Sequence, residues 1–351
     1  MSEQKFFDYW DFFLAECECA NAPLYAGIIR GVKDDAAIKE LAGQVKPGQP
    51  PANVLLAAVH YLLLQGADHP LRKLYPNLNG GNHTGEDGFP LFKDFVAQHR
   101  AELEPLIANG VTNTNEVARC SALHAGFRAV AEQAGAPLNL IEIGPSAGLN
   151  LIWDKYAVRY SRGNETFFTE PRDAALILDC ELRGERLPPL GPAPKVASRV
   201  GLELNPVDLS DPHWRNWLKA LVWPDQVARF ARLEKAIAIF REHPAEIRGG
   251  DALSLLADAI ARIPEGEPVC VYHTYVVYQF SEANMRLALD DILVMAGLRR
   301  PIFRLSCEGS LERAGEAEML LGHYHDGAKK LRRLATCHPH GAWLEWTDSP
   351  L

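Results

Sequence analysis

The residues best able to do chemistry lie at the end of one apolar segment, in a turn of small residues. Glu142 closes the predicted strand 138–143, and Gly144, Ser146 and Gly148 follow at alternate positions in the turn. Glycine permits backbone angles and close approaches that a side chain would prevent. We expect the turn to open a helix whose unpaired N–H groups face a bound ligand. The pattern therefore predicts a binding turn at the carboxyl end of a strand.

Two chemistries fit this turn. Glu-x-Gly-x-Ser-x-Gly resembles the nucleotide loop of Rossmann-like methyltransferases that use S-adenosylmethionine. Gly-x-Ser-x-Gly is also the pattern of a nucleophile elbow, with Ser146 as the attacking hydroxyl. A hydrolase needs several strands before its elbow, but residues 1–135 show almost no strand pattern, and 53–65 is apolar over the length of a buried helix. Strand 138–143 is therefore predicted to be the first of its sheet, which favours the nucleotide loop.

Two acidic residues follow in the order that a nucleotide site requires. Glu203 ends a short apolar segment that begins at Val200, and Asp251 follows the pair Gly249-Gly250. In Rossmann-like sites a carboxylate at the tip of the next strand binds the ribose hydroxyls. By resemblance to the methyltransferases, Asp251 would bind the adenine amino group. The order of these segments resembles that of the methyltransferases, which implies S-adenosylmethionine as the cofactor.

The spacing of these segments predicts additions to the basic fold. Gly148 and Glu203 are 55 positions apart, whereas about 20 residues separate the glycine loop from the acid in a typical Rossmann site. We therefore place an insertion at 156–198. Within it, 174–178 and 181–186 are predicted to form a β-hairpin or small flap, followed by a proline-rich connection.

Strand and helix patterns continue beyond Asp251. We predict strands at 268–272 and 301–305 around a helix at 281–296, then paired antiparallel strands at 317–325, 329–337 and 342–346. Parallel units followed by a terminal hairpin give a mostly parallel sheet. The predicted fold is therefore α/β, a Rossmann-like methyltransferase-type sheet preceded by an all-helical region. We expect residues 1–135 to pack as a lid and residues 136–351 to form the Rossmann-like domain.

Four polar residues are candidates to complete the site. Asn115 and Arg119 are predicted on a helix leading into strand 138–143, where the guanidinium would pair with the methionyl carboxylate of the cofactor. A helix cap with a buried ion-pair network is an equally open alternative. His273 and Tyr275 follow a buried strand, where a general base would lie at the carboxyl edge of the sheet. A hydrogen-bonded structural histidine is the alternative for His273.

Histidine pairs at alternate positions raise the question of a metal site. His323 and His325 share one strand face, as do His338 and His340, and Glu308 could add a carboxylate. Strand histidines more often face solvent or aromatic neighbours, and this spacing is not typical of zinc sites. We therefore predict no metal centre.

Other conspicuous residues are predicted to pack rather than to react. His60 lies inside the apolar segment 53–65, so we expect it to be a core histidine bonded to backbone or to a polar neighbour. Trp214, Trp217 and Trp223 recur at helical offsets, which indicates packing rather than a base-stacking platform.

Composition narrows the class of protein. The chain has 351 residues and a net charge of −9, which argues against nucleic acid as the main partner because phosphate binding needs a clustered basic face. Seven scattered cysteines without a Cys-x-x-Cys pair indicate reduced thiols. The first residues lack the apolar core of a signal peptide, and the longest apolar run is too short to span a bilayer. We expect a cytoplasmic protein that binds a small molecule and no membrane.

Several segments together resemble one bacterial family, known as domain of unknown function 2332. They are Pro23 to Tyr25, Ala57 to Leu64, Thr114 to Arg119, Ile141 to Leu151, Leu218 to Gln226 and Gly250 to Leu253. The resemblance covers nearly the whole chain. It implies membership of the family and implies no activity.

Three functions are compatible with these observations. The first is a methyltransferase acting on a small molecule or a protein, with the glycine turn, Glu203 and Asp251 holding the cofactor. The second is a methyltransferase-like protein that binds a nucleotide or a partner without catalysis. The third is a serine hydrolase with Ser146 as nucleophile, Asp251, and His273 or His323 as base.

Overall fold

The computed structural model describes residues 8–81, 87–113, 115–280 and 283–351. It contains two compact units, formed by the described residues of 1–114 with 209–234 and by 115–208 with 235–351. The predicted division after residue 135 differs from this grouping, because 115–135 belong to the second unit and 209–234 to the first. The expectation that residues 1–135 act as a lid stays a prediction.

Both units contain helices and short 3-10 turns, and the second unit also contains strands. In chain order the helices are α1 (Tyr9–Cys19), α2 (Pro23–Val32), α3 (Ala36–Ala42), α4 (Pro51–Leu64), α5 (Phe89–Gln98), α6 (Arg100–Asn109), α7 (Cys120–Ala134), α8 (Pro212–Ala220), α9 (Val227–Glu242), α10 (Ala252–Ala261) and α11 (Ala283–Gly297). The 3-10 turns are Pro70–Leu74, Pro76–Leu78, Val117–Arg119, Trp153–Lys155 and Val277–Gln279.

The first unit is built around the buried helix α4. Ten of the 14 residues of α4 are buried, as the apolar segment predicts. His60 on this helix contacts the carbonyl of Ala220 through Nδ1 at 3.0 Å, and Asn77 donates to its Nε2 at 2.9 Å. Trp217 is buried and donates from its indole to the carbonyl of Val111 at 2.8 Å. The structure thus confirms that His60 and Trp217 are core residues, and Trp214 and Trp223 pack against the same core.

The second unit contains one sheet of eleven strands. In chain order they are β1 (Leu138–Ile143), β2 (Ala157–Arg162), β3 (Glu165–Phe168), β4 (Ile177–Arg183), β5 (Val196–Glu203), β6 (Glu246–Gly249), β7 (Val269–Thr274), β8 (Ile302–Gly309), β9 (Ala317–His325), β10 (Ala328–Cys337) and β11 (Trp343–Pro350). Their order across the sheet is β3-β2-β4-β11-β10-β9-β8-β7-β1-β5-β6.

Strand directions divide this sheet into three regions. The strands β6-β5-β1-β7-β8 are parallel to their neighbours, and β8-β9-β10-β11 are antiparallel. In the third region β11, β4 and β2 are parallel, and β3 is antiparallel to β2. Apolar residues of β1, β5 and β7 form a core with α10 and α11. The fold is therefore α/β, with a helical N-terminal region and a mostly parallel sheet that contains some antiparallel strands. The predicted strands of the tail are confirmed, whereas the predicted start of α11 at residue 281 lies outside the described residues.

The predicted hairpin in 156–198 is wrong. Residues 177–183 form the single strand β4, which lies parallel to β2 on one side and to β11 on the other. The hairpin of this segment is instead β2 with β3. Side chains of β4 alternate between exposed and buried, which is typical of a strand with one face on a core. The insertion therefore extends the sheet.

Among the described residues, no helix has both the length and the apolar character needed to cross a lipid bilayer.

Candidate functional site

Three parallel strands bring the predicted site together at their carboxyl ends. Every residue of β1 is buried. Glu142 near its end pairs in register with Gly201 of β5 on one side and with Tyr272 of β7 on the other. The turn 144–148 therefore begins between the ends of β5 and β7.

Left-handed backbone angles shape this turn. Gly144, Ser146 and Gly148 have φ values of +67°, +55° and +77°, a region that residues with a Cβ rarely adopt. A Cβ on Gly148 would lie 2.9 Å from Cδ1 of Ile247. Gly201 on the next strand is also constrained, because its Cβ would lie 2.6 Å from Pro145. The glycines thus allow the turn to pack against its own unit.

The helix predicted after the turn is absent. Residues 149–156 form turns and the short 3-10 segment Trp153–Lys155. Long side chains donate hydrogen bonds to backbone carbonyls that an α-helix would use for its own bonds. Tyr156 donates to Leu149 O at 2.9 Å, and Arg199 donates to Leu151 O at 2.8 Å. His124 contacts the carbonyl of Trp153 at 2.9 Å. A helix dipole therefore contributes nothing to this turn.

Glu203 lies beside the glycine turn, as the sequence predicts. The N–H of Ser146 donates to its Oε2 at 2.7 Å, and the N–H of Asn205 donates to its Oε1 at 3.1 Å. The parallel pairing of β1 with β5 produces this arrangement, because it places both strand ends at one edge of the sheet. The carboxylate is only partly buried, so its remaining lone pairs stay open to a ligand.

Asp251 lies one strand further along the same edge. It follows β6, and the N–H of Gly250 donates to the carbonyl of Glu203 at 2.9 Å. Its Oδ1 caps α10 by accepting from the N–H and the hydroxyl of Ser254, at 2.9 and 2.8 Å. The residue is exposed, so a cap and a ligand contact are compatible.

Glu142 lies beneath the turn. Its side chain is 1% exposed, and Tyr272 donates a hydrogen bond to Oε2 at 3.0 Å. Burial, together with the nearby carboxylate of Glu203, raises the pKa of Glu142 to about 8, although Tyr272 and Arg119 favour the ionised form. Glu142 is therefore mostly protonated at neutral pH.

Asn115 and Arg119 precede α7 and do not share a long helix. Asn115 donates from Nδ2 to the hydroxyl of Ser146. Arg119 lies in the 3-10 turn Val117–Arg119, donates from Nε to Pro339 O at 3.0 Å, and lies over the ring of Tyr275 at 4.4 Å. In place of the predicted helix, Asn115 contacts the glycine turn and Arg119 contacts the segment after β7.

His273 is held on both sides of its ring. It is fully buried, its Nδ1 lies 2.6 Å from Oε1 of Glu308, and Arg304 donates from Nε to its Nε2 at 3.1 Å. Burial lowers the pKa of His273, and the nearby Arg304 lowers it further, against the opposing effect of Glu308. A neutral ring with its proton on Nδ1 satisfies both contacts. This is the geometry of the structural alternative given for His273.

Tyr275 is the more accessible of the two candidate residues. Its side chain is partly exposed and its φ is +57°. Its hydroxyl oxygen is buried and has no hydrogen-bond partner among the described residues.

Glu308 is the main residue of this region that sequence reasoning missed, having been considered only as a possible metal ligand. Its Oε1 also accepts from the N–H groups of Val276 at 3.1 Å and Val277 at 3.3 Å. The available signal was its position near the carboxyl end of β8, the parallel neighbour of β7.

The hydrolase and metal hypotheses find little support in the geometry. Within the described chain, the partner of the Ser146 hydroxyl is Asn115 rather than an imidazole. His323 stacks on Phe303 with ring centroids 4.6 Å apart. The described residues contain no group of three or more His, Cys, Asp or Glu side chains that could hold a metal ion.

Comparison with known proteins identifies a family. The model of a bacterial family described as "uncharacterized protein conserved in bacteria (DUF2332)" matches residues 12–346. The chain belongs to this family. The match confirms the membership inferred from the sequence segments and includes the glycine turn, Glu203 and the residues around Tyr275. No curated protein matches the sequence, and no solved structure matches the fold.

Proposed function

We propose that this protein binds S-adenosylmethionine and transfers its methyl group to a small-molecule or protein acceptor. The observation that carries the proposal is the contact between the glycine turn and the acid of the next strand, 2.7 Å from Ser146 N to Glu203 Oε2. A glycine turn beside a strand-end carboxylate is the arrangement that binds the ribose of adenosine-containing cofactors.

Strand order supports the same proposal. Numbered along the chain, the parallel strands β1, β5, β6, β7 and β8 have the spatial order 3-2-1-4-5, which is that of doubly wound nucleotide-binding sheets. After β1 the chain forms β2, β3 and β4 at the far end of the sheet, then returns to add β5 and β6 on one side of β1 and β7 and β8 on the other. Open α/β sheets bind ligands at the carboxyl edge where this reversal occurs. The turn 144–148 and Tyr275 lie at that edge.

The residues present fit such a cofactor. Each oxygen of Glu203 accepts one backbone N–H, and a carboxylate has about four lone-pair positions, so it can also accept both ribose hydroxyls. Asp251 is assigned to the adenine amino group. Asn115 and Arg119 lie just before α7, near the turn, and are assigned to the methionyl end. When bound, the cofactor would supply a methyl group on a positively charged sulfur.

Catalysis in this proposal rests on alignment more than on proton transfer. His273 is buried with both ring nitrogens engaged, so Tyr275 is the candidate that can border a bound acceptor. Holding a nucleophile in line with a methyl group accelerates transfer without a general base. The engaged state of His273 also favours the second candidate function, a protein that binds the cofactor without turnover.

Ligand-induced stabilisation tests the proposal. We expect S-adenosylmethionine and S-adenosylhomocysteine to raise the melting temperature of the wild-type protein, because a ligand that binds only the folded state stabilises it. In Glu203→Gln the dissociation constant is expected to rise about tenfold or more, the loss expected for a charge-assisted hydrogen bond. Glu181→Gln, at an exposed carboxylate on β4, is the matched control.

Each result has a defined reading. Saturable binding with methyl transfer supports an enzyme, and saturable binding without transfer to any acceptor supports the non-catalytic protein. If neither ligand raises the melting temperature, both the enzyme and the non-catalytic binding protein are contradicted. Labelling of Ser146 by a fluorophosphonate would instead indicate the hydrolase.

A further inference from the structure

The segment after β7 lies directly on the glycine turn. A Cβ added to Gly144 would lie 2.6 Å from Cγ2 of Val276, so the Val276 side chain fills the space that the glycine leaves. Both residues lie at the carboxyl edge where the strand order reverses. Val276 therefore covers the part of the turn that a ligand would approach.

A single carboxylate holds this segment in place. Oε1 of Glu308 accepts from the N–H groups of Val276 and Val277 and lies 2.6 Å from Nδ1 of His273. Because Arg304 donates to Nε2 of His273, the ring proton resides on Nδ1 and points to Glu308. Burial raises the pKa of Glu308, but the hydrogen bonds from His273 and the two N–H groups lower it below its usual value. Hydrogen bonds to an ionised acceptor are stronger than neutral ones.

The same arrangement contains three unfavourable features. Tyr275 adopts φ of +57°, which is strained for a residue with a Cβ. The Tyr275 hydroxyl and Oε2 of Glu308 are buried and have no hydrogen-bond partner among the described residues. Unpaired buried polar atoms are destabilising, and exposure to water would relieve them. The closed arrangement thus combines strong local bonds with strain that opening would release.

We propose that Glu308 is a positioning residue that latches residues 275–277 over the glycine turn, and that this latch opens before a ligand reaches Gly144. The bonds to Glu308 favour the closed arrangement, whereas the backbone of Tyr275 and the unpaired oxygens favour the open one. Elements balanced between two arrangements are those that binding can shift. The latch belongs to the unliganded fold and does not depend on which ligand binds.

Amide hydrogen exchange on the full chain without ligand tests the latch. In Glu308→Gln, exchange at Val276 and Val277 is expected to accelerate about tenfold or more, because a neutral amide is a weaker acceptor. In Tyr275→Phe it is expected to slow roughly tenfold, because the variant removes a hydroxyl that is unpaired only in the closed arrangement. Glu312→Gln, an exposed carboxylate in the β8–β9 connection, is the control. Exchange in β1 should stay unchanged in all three variants, which separates a local latch from general destabilisation.

Two outcomes would overturn the latch. The first is a rate of exchange at Val276 and Val277 in Glu308→Gln that equals the rate in the Glu312→Gln control, or that increases no more than the rate in β1 does. The other is unchanged or faster exchange at these amides in Tyr275→Phe.

Adding S-adenosylhomocysteine separates the latch from the proposed function. Faster exchange at Val276 and Val277 with slower exchange at 144–148 supports opening before binding. Slower exchange in both segments means that residues 275–277 close over the ligand, which contradicts opening of the latch before binding. No change in either segment contradicts the proposed cofactor, while the ligand-free comparison of variants still decides the latch.

Discussion

The buried carboxyl group of Glu142 makes the stability of the fold depend on pH. Its pKa rises from 4.5 to about 8 on folding, chiefly because burial penalises the charged form. Since the folded-state pKa is the higher one, the folded chain binds the proton more tightly than the unfolded chain does. The resulting stabilisation is complete below pH 4.5 and is lost as the pH rises through about 8.

The size of this effect follows from the same shift. One pKa unit corresponds to about 1.4 kcal/mol, so the full shift corresponds to at most about 5 kcal/mol. In Glu142→Gln the side chain stays neutral and its amide oxygen still accepts from Tyr272. We expect the variant to match the wild type within about 1 kcal/mol at pH 5 and to exceed it by about 2–5 kcal/mol at pH 9.

Chemical denaturation between pH 5 and pH 9 provides the measurement. The difference between Glu142→Gln and the wild type isolates this carboxyl group from the buried histidines, which titrate in both proteins. Glu265→Gln, at an exposed carboxylate, controls for the loss of one charge. Parallel curves for the wild type and Glu142→Gln would refute the reasoning, because they would show that residue 142 does not change its protonation between folded and unfolded states.

Two further predictions concern residues that shape the turn region. Gly148→Ala is expected to lower the free energy of unfolding by about 2–4 kcal/mol, because both the φ of +77° and the side chain of Ile247 oppose a Cβ at this position. The control is Gly191→Ala, where a Cβ meets open space. Equal denaturation midpoints for the two variants would contradict the prediction. Asp154→Asn removes the charge of the carboxylate that accepts from Arg199 at 2.6 and 3.0 Å and replaces one of its oxygens with an NH2 group that cannot accept. It is expected to cost about 2–4 kcal/mol because the charge of the partly buried guanidinium loses this carboxylate, measured as a lower denaturation midpoint that Arg199→Met together with Asp154→Asn partly restores.

Local patterns were sufficient to predict most elements of the second unit. β1, β7 and β8 are apolar runs bounded by turn residues, and β9 to β11 alternate or pair in succession, so each carries its own signal. The meeting of the glycine turn with Glu203 also followed from the sequence, because neighbouring parallel strands end at one edge of the sheet.

The failures occurred where distant side chains decide the backbone. A helix after Gly148 was a reasonable local prediction, but Tyr156 and Arg199 bind the carbonyls that its hydrogen bonds would need. β4 was divided into a hairpin because its partners, β2 and β11, lie far from each other in sequence. The contact of Glu308 with Val276 and Val277 depends on strand register, which the sequence does not specify. The periodicity of a sequence reports on residues close to each other along the chain and gives no information on contacts between distant residues.

The discontinuous first unit has a consequence for how the chain is made. Its core includes Trp217 and Ala220, which belong to the returning segment 209–234. At about 5–20 residues per second, a ribosome needs roughly 6–24 s to add residues 115–234 after residue 114. During that interval α4 lacks part of its apolar cover, and the early strands of the sheet have already been synthesised. A nascent chain stalled before residue 209 is therefore expected to bind a chaperone that one released after residue 234 no longer needs.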